Sequence, residues 1–184
     1  MNRSPATWVA LTAMGVALVV AAQYLGSLIP AIAVIFGPFS VKQLITGTLV
    51  NCVLLVFTAR AGLTSGVTIG VLSAVLAGFL GMSQPFLSPV VALGNALLCL
   101  IYYLLTMRAR LPLEKMHVPA VICGAGVKCA FLWLTVPMVL GAMSGLPEKQ
   151  AAMLSIMFSW PQGVTALCGG LLAWPIILRL RRSK

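Results

Sequence analysis

Long apolar blocks dominate this chain, and they restrict its fold more than any other feature. Of its 184 residues, 61% are hydrophobic, and only twelve Lys and Arg and two Glu carry a formal charge. A soluble domain of this size needs a charged surface, and these residues could not cover one. Several blocks approach the roughly 20 residues that a helix needs to cross the hydrocarbon core of a bilayer. The sequence therefore predicts an all-α integral membrane protein that forms a single domain over residues 1–184.

Six transmembrane helices are predicted, and the breaks between them are polar or rich in Pro and Gly. Pro30, Gly37 and Pro38 interrupt the first connection, and the polar stretch from Arg108 to His117 separates the fourth span from the fifth. The apolar segment from Ala31 to Phe39 is short, so we expect a re-entrant or interfacial piece or a lid. The N-terminal apolar run exceeds a typical signal core, which predicts an uncleaved first helix. The predicted spans are 7–28, 41–59, 63–81, 87–106, 118–141 and 151–178.

Basic residues are distributed unequally between the two sets of loops. With the N-terminus inside, nine basic residues fall on the cytoplasmic side, and Lys149 alone falls outside. Because Lys and Arg in short loops set orientation, this split predicts that both termini are cytoplasmic. It also accounts for the net charge of +10 without nucleic acid, which would need a continuous basic surface. The nine are Arg3, Arg60, Arg108, Arg110, Lys115, Arg179, Arg181, Arg182 and Lys184.

Small residues recur every four positions in two predicted spans. In lipid, close approach across small residues is how helices associate. The glycine series of the third span predicts internal packing or, alternatively, a docking face. The alanine series of the first span is the better candidate for docking another membrane protein, because that helix is predicted to be peripheral. The two series are Gly62, Gly66, Gly70, Ala74 and Gly78, and Ala13, Ala17 and Ala21.

The near-absence of acidic residues excludes several function classes. Glu114 and Glu148 are the only carboxylates, and both are predicted to lie in loops. Ion-coupled carriers usually need a carboxylate at membrane depth, and hydrolases need catalytic carboxylates or metal ligands. The chain also lacks a phosphate-binding loop, so any ATP must be hydrolysed by another chain. We therefore expect no enzyme and no cofactor, and with one His and five cysteines inside apolar segments we expect neither a metal cluster nor a disulfide framework.

Lys128 is a cation in the interior of the fifth predicted span. It lies about 16–20 Å from either end of that span, too far for its side chain to reach the interface. No predicted span holds a carboxylate that could neutralise it. Three readings remain: it faces a wet cavity that takes an anionic ligand, burial keeps it neutral, or its hydrogen bonds are purely structural. Lys42 lies near the outer end of its span, where it either snorkels or joins the same site.

Uncharged polar residues lie at one outer-to-middle depth on four predicted spans. Amides in spans often bridge helices, and Trp160 also fits an interfacial belt residue. Taken together, however, they predict a polar pocket that opens to the outside. They are Gln43 and Asn51 in the second span, Asn95 and Tyr102 with Cys99 in the fourth, Thr135 two turns from Lys128 on the same face of the fifth, and Trp160, Gln162 and Thr165 in the sixth.

Four stretches of the chain carry a family resemblance that extends over its whole length. They are the alanine repeat of the first span, the run from Gln43 to Asn51, the run from Pro89 to Asn95, and the stretch from Pro161 to Gly170. With about six spans in some 180 residues, the chain resembles the substrate-binding S components of energy-coupling factor (ECF) vitamin transporters. Its motifs are diffuse, since members of this family share a fold more than a sequence signature.

The resemblance implies a subunit of an ABC-type transporter that binds a micronutrient from outside the bacterial plasma membrane. Ala13, Ala17 and Ala21 would dock the transmembrane coupling (T) subunit, and two cytoplasmic ATPases would supply the energy. The pocket of the family lies under the first connection and between the last three helices. That layer holds Asn95, Lys128, Trp133, Trp160 and Gln162. The opening Met1-Asn2-Arg3 lacks the histidine of the metal-transporting relatives, which argues against nickel or cobalt.

Lys128 favours an anionic or zwitterionic vitamin or precursor, and the Trp and Tyr residues nearby favour a planar group. Two other function classes remain open. One is a small membrane scaffold or assembly protein without a ligand, which would use the glycine series as its contact face. The other is a stand-alone secondary carrier, which the lack of acidic residues disfavours.

Overall fold

Seven α-helices make up most of the computed structural model, which describes residues 4–30, 34–36, 39–81, 83–108, 112–143 and 145–182. A short antiparallel hairpin, β1 (Val34–Phe36) and β2 (Phe39–Ser40), joins the first two helices. A 3₁₀ turn (Pro85–Leu87) precedes the fourth helix, and a π-helical turn (Leu104–Arg108) extends it. The helices are α1 (Pro5–Ser27), α2 (Val41–Ala61), α3 (Leu63–Phe79), α4 (Ser88–Tyr103), α5 (Leu113–Gly141), α6 (Glu148–Met157) and α7 (Trp160–Arg182).

Local sequence signals set several of these boundaries. Ser4 and Ser40 cap α1 and α2, each accepting a hydrogen bond from a backbone N–H three residues later, as small hydroxyl residues commonly do at helix starts. Gly62 ends α2 with a φ of +98°. An L-residue with a side chain rarely adopts this conformation, and it lets α3 begin at the next residue.

Five helical segments are long and apolar enough to span a membrane: Pro5–Ser27, Val41–Ala61, Pro85–Arg108, Leu113–Gly141 and Glu148–Arg182. The third predicted span is the exception, because α3 has 17 residues and rises about 26 Å against a hydrocarbon core of about 30 Å. The structure therefore supports an α-helical membrane bundle, whereas the count of six spans stays a prediction.

Three details of the predicted organisation are wrong. The sixth predicted span, 151–178, is two helices that break at Phe158 and Ser159. The fifth begins at Leu113 instead of 118, so most of the predicted polar connection is helical. Glu114 and Glu148 consequently lie in the first turns of α5 and α6 and not in loops, where a carboxylate favours the positive end of the helix dipole.

Hydrogen bonds between helices that are far apart in the sequence define the two ends of the bundle. At one end, which we call the basic end, Trp8 Nε1 donates to Thr64 Oγ1 and Arg60 donates to the Leu180 carbonyl. At the other, which we call the cavity end, Gln43 Nε2 donates to the Met157 carbonyl. Basic side chains concentrate at the first end, as the loop distribution predicted. Those within the described residues are Arg60, Arg108, Lys115, Arg179, Arg181 and Arg182.

Helix α2 lies at the centre and packs most extensively on α7. Gly169 makes this contact close: a β-carbon there would overlap Asn51 and the α2 backbone. A core of buried apolar residues surrounds this contact, including Leu54, Leu55 and Ala166. The described cysteines are all free.

The two small-residue series have different surroundings. In α3, Gly66, Gly70 and Gly78 face Thr58 of α2, Asn95 of α4 and Ser88 of α4 at distances that leave no room for a side chain. Gly66, Gly70 and Gly78 therefore form an internal packing contact, whereas Gly62 faces open space. Ala13, Ala17 and Ala21 are instead exposed along α1, on the face turned away from α2 and α3.

The first connection is partly a β-hairpin. Residues 31–33 and 37–38 lie outside the described residues, so the prediction of a re-entrant segment or lid for residues 31–39 is tested only in part. Phe39 is buried, and its ring meets that of Trp160 edge-on with centroids 5.2 Å apart. The hairpin thus ends against the start of α7 at the cavity end.

Candidate functional site

Lys128 is the centre of the candidate site. Its side chain is only 2% exposed, midway along α5. Its Nζ donates to Asn51 Oδ1 of α2 at 2.7 Å and to Asn95 Oδ1 of α4 at 2.8 Å. Three helices therefore converge on one ammonium group. We call Lys128, Asn51 and Asn95 the lysine cluster.

The orientation of both amides follows from their other contacts. Asn51 Nδ2 donates to the Gly47 carbonyl at 2.8 Å and to Thr165 Oγ1 at 3.3 Å. Asn95 Nδ2 lies 3.4 Å from the Gly70 carbonyl. Because a backbone carbonyl only accepts hydrogen bonds, each amide nitrogen points away from Lys128 and each amide oxygen points toward it.

The lysine cluster is unbalanced in charge and in hydrogen bonding. Asn51 and Asn95 are neutral, and within the described residues they are the only hydrogen-bond partners of Lys128. An ammonium has three N–H donors, so the charged form leaves one unused, whereas a neutral amine has two and both are used here. Both carboxylates of the chain, Glu114 and Glu148, are exposed at helix starts. Burying a cation without a counter-charge is costly, which makes this position a candidate anion site.

A cavity of about 870 Å³ extends from the lysine cluster toward the cavity end. Its size falls within the range of small-molecule sites, roughly 300–1,000 Å³. Residues of all seven helices and of the α3–α4 connection line it. Among them are Gln23 of α1, Thr46 of α2, Ala77 of α3, Val91 of α4, Met153 of α6 and Gln162 of α7.

Several residues of the cavity wall hold polar atoms without a partner. Gln23 Oε1, Gln43 Oε1 and Thr46 Oγ1 are buried and make no hydrogen bond within the part of the chain that the structure describes. Leaving such an atom unpaired costs about 1–3 kcal/mol. These three oxygens have almost no accessible surface, so they belong to the packing behind the cavity surface.

Five predicted site residues line this cavity, namely Lys128, Asn51, Asn95, Lys42 and Gln162. Lys42 is half-buried at the start of α2, near the mouth, so its ammonium can reach water. Trp160 does not line the cavity: its ring packs on Phe39 behind the wall, and 41% of the residue is exposed.

Two predicted site residues lie elsewhere. Trp133 is 64% exposed and points outward from α5, on the side opposite the buried Leu132. Tyr102 is buried toward the basic end, where its hydroxyl lies 2.9 Å from His117 Nδ1. Helical periodicity accounts for the first error, since Trp133 is five residues from Lys128, about 140° around the helix.

A second buried polar cluster forms around His117, which was predicted to be in a loop. Its Nε2 lies 2.9 Å from the Gly170 carbonyl, and its ring stacks on Trp174 at a centroid distance of 4.5 Å. We call Tyr102, His117 and the Gly170 carbonyl the histidine cluster. With Nε2 protonated, the neutral ring donates to Gly170 and accepts from Tyr102, so both ring nitrogens are satisfied.

The sequence interpretation missed Gln23, Thr46 and the α6 residues of the wall. Gln23 had a recognisable signal, because it is the one side-chain amide in an otherwise apolar first span. The sequence interpretation also placed the pocket between the last three helices, whereas α1, α2 and the end of α3 supply much of its wall. The break at Phe158 brings α6 over the cavity, and a continuous sixth span would not have done so.

Comparisons of the chain with protein-family models, with curated proteins and with solved structures found no match. What the structure defines is therefore a class, namely an α-helical membrane bundle with a buried lysine at the inner end of a cavity that has both polar and apolar walls.

Proposed function

We propose that this chain is the membrane-embedded substrate-binding subunit of an ATP-dependent uptake system for a small organic anion or zwitterion. The observation that carries the proposal is the lysine cluster: a buried ammonium with two neutral partners, one unused donor and a cavity in front of it. Such a group gains more from an anionic ligand than from any contact that the described residues provide. The proposed ligand is thus a small anion or zwitterion, and the resemblance to S components makes a micronutrient the proposed class.

The rest of the transporter would be on other chains. The sequence has no phosphate-binding loop, so the ATPases and the coupling subunit are proposed as partners. The exposed face of α1 with Ala13, Ala17 and Ala21 is the proposed contact for the coupling subunit, since it is the small-residue face that the bundle leaves uncovered. This arrangement is similar to that of the ECF S components.

The proposed orientation places the basic end and both termini in the cytoplasm, and the cavity end outside. Lys and Arg in the described connections and termini support it, because they concentrate at the basic end. The cavity would then receive its ligand from the extracellular side of a bacterial plasma membrane.

Purification in mild detergent followed by mass spectrometry tests this proposal. We expect a small molecule to be retained by the wild-type protein and lost from Lys128→Met, which keeps side-chain length and removes the charge. Losing a charge-assisted hydrogen bond in a buried site should weaken binding about 10-fold to 100-fold. Lys149→Met is the matched control, because Lys149 is exposed at the start of α6.

Two other outcomes would replace the proposal. A wild-type protein that holds no small molecule and co-purifies only with membrane proteins would indicate a scaffold. Uptake that continues without any ATPase partner would indicate a secondary carrier.

A further inference from the structure

We propose that a groove on the outer surface of α5 and α7 binds an acyl chain of an anionic phospholipid, whose phosphate contacts basic side chains at the basic end. We call it the α5–α7 groove. Among the described residues, it shares none with the cavity in front of Lys128. It is therefore a second site, and it does not depend on the proposed function.

Two antiparallel helices form the α5–α7 groove, which has a volume of about 280 Å³. From His117 to Cys129 along α5, the contacts on α7 move back from Gly170 to Gly163. Gly170 lets the helices approach closely, because a β-carbon there would overlap Val121. The groove lies between the two helices and so follows their axes.

The floor of the α5–α7 groove is buried and offers no free polar side chain. Its residues are His117, Val121 and Gly170. Both ring nitrogens of His117 already have partners, namely the Tyr102 hydroxyl and the Gly170 carbonyl. A polar ligand would lose its hydration on this floor without gaining a side-chain partner, whereas a hydrocarbon chain gains dispersion contacts.

Two rims of large apolar side chains stand beside this floor and are exposed. They are Val118 and Ile122 on α5, and Leu167 and Leu171 on α7. A partner helix is about 10–12 Å wide with its side chains, too wide to enter between these rims, and helices associate across small residues instead. A single hydrocarbon chain is narrower, and acyl chains are what surround these helices in a bilayer. The shape of the groove therefore favours an acyl chain as its occupant.

Three basic residues and one acidic residue lie where the α5–α7 groove meets the basic end. Lys115 and Glu114 are in the first turn of α5, and Arg181 and Arg182 are in the last turn of α7. Helical spacing places the first pair on the face of Val118, three and four residues before it. All four side chains are exposed, and their net charge is +2. Such a basic site between transmembrane helices favours the phosphate of an anionic lipid over a neutral headgroup.

The distance along α7 suits a phospholipid. Arg182 follows Leu171 by eleven residues and lies about 20° from it around the helix, with a rise of about 16 Å. Half of the hydrocarbon core is about 15 Å thick, so an acyl chain whose phosphate is at Arg182 ends beside Leu171. Trp174 and Leu178 lie between these positions and supply partly exposed apolar surface. One leaflet thus spans both the headgroup contacts and the groove.

Native mass spectrometry of the detergent-purified protein with defined lipids tests the headgroup. The probes are dioleoyl phosphatidylglycerol, which is anionic, dioleoyl phosphatidylcholine, which has the same chains and no net charge, and glycerol phosphate, which has no chains. We expect one phosphatidylglycerol to bind about 5-fold to 25-fold more tightly than phosphatidylcholine, because each unit of basic charge contributes about fivefold. Equal binding of the two lipids, or equally tight binding of glycerol phosphate, would overturn the proposal.

Charge variants at neighbouring positions should act in opposite directions. Lys115→Met should lower the preference for phosphatidylglycerol about fivefold, and Glu114→Gln should raise it about fivefold. Arg182→Met should resemble Lys115→Met. Lys149→Met is the matched control, because Lys149 is equally exposed but lies on α6. Changes of the same sign at Lys115 and Glu114, or an equal change in the control, would show that these side chains do not hold the phosphate.

Two adjacent leucines of α7 separate the groove from the rest of the outer surface. Leu171 lines the groove, whereas Leu172 is also exposed but does not line it. Leu171→Trp should obstruct the groove and weaken binding of phosphatidylglycerol several-fold, while Leu172→Trp should change it by less than about twofold. Thermal unfolding checks that both variants fold.

Equal effects of the two tryptophan variants would place the lipid elsewhere and overturn the proposal. A membrane protein that binds the lipid-free wild-type chain and is released by Leu171→Trp would be the occupant instead. Neither result bears on ligand retention in the cavity, which Lys128→Met tests separately.

Discussion

The lysine cluster and the histidine cluster are both buried between α5 and its neighbours, yet they differ in completeness. In the histidine cluster, the Tyr102 hydroxyl and both ring nitrogens of His117 have partners at 2.9 Å, and Trp174 covers the ring. In the lysine cluster, two neutral amides are the only described hydrogen-bond partners of a lysine that borders a cavity, and in its charged form this lysine has a third donor without a partner. Both consist of polar groups inside an apolar bundle, so burial and polarity alone do not distinguish them.

The difference shows which property marks a binding site inside a membrane protein. A polar cluster whose donors and acceptors match stabilises helix packing and needs nothing else. A cluster with an uncompensated charge remains costly until a ligand completes it. The histidine cluster is accordingly interpreted as structural, and the lysine cluster as functional.

A carboxylate introduced next to Lys128 should remove the main difference between the two clusters, and it has the largest expected effect on ligand binding. Asn95→Asp would place a carboxylate about where Oδ1 now lies, 2.8 Å from Lys128 Nζ. An anionic ligand would then compete with a built-in counter-charge, and we expect its affinity to fall about 100-fold or more while the helices still pack. Retention of the small molecule, measured by mass spectrometry, and thermal unfolding check the two parts.

Asn95 suits this test better than Asn51. Its Nδ2 contact with the Gly70 carbonyl is long, at 3.4 Å, so replacing the nitrogen by oxygen sacrifices little. Undiminished retention in a folded Asn95→Asp protein would show that the charge of Lys128 is not what holds the ligand.

Removing one hydroxyl from the histidine cluster should have the opposite consequence. Tyr102→Phe leaves His117 Nδ1 without its donor in a buried position, which should lower the free energy of unfolding by about 1–3 kcal/mol. Ligand retention should not change. Thermal unfolding in detergent measures the first quantity, and Tyr103→Phe is the control, because Tyr103 is only partly buried on the neighbouring face of α4. Loss of the retained molecule in a Tyr102→Phe protein of wild-type stability would mean that the two clusters are coupled.

The lysine cluster could largely be predicted from the sequence, because membrane burial makes charge informative. Lys128 was identified from its depth in an apolar segment and from the lack of any carboxylate to pair with it. Asn51, Asn95 and Gln162 followed from their similar depth in other spans. Depth is a one-dimensional quantity, and hydropathy records it well.

The direction in which each side chain points around its helix could not be predicted equally well from the sequence. Tyr102 shares a face with Asn95 but lies two turns closer to the basic end, where it meets His117. The place of His117 depends on α5 beginning at Leu113, within a stretch whose polarity indicated a loop. The break between α6 and α7 was hidden for the related reason that both helices are apolar enough to be read as one span. The Tyr102–His117 contact joins two segments, which no pattern within one segment records, and the other two errors concern helix boundaries that hydropathy does not mark.

Substitution of Trp133 should have the smallest effect, and it tests whether the outer face of α5 takes part in binding. Trp133 was a candidate for the site because it lies in the pocket layer that the family resemblance implies, but the structure leaves 64% of it exposed on the outer face of α5. Trp133→Leu should change ligand affinity by less than about twofold and the free energy of unfolding by about 0.5 kcal/mol or less. By contrast, Leu132→Ala, one position earlier and fully buried, should lower the free energy of unfolding by about 2–5 kcal/mol. Binding measurements and thermal unfolding on both variants separate the two faces of the helix. A large loss of affinity in Trp133→Leu would place the ligand on the outer face of α5 and would remove the reason for assigning it to the cavity.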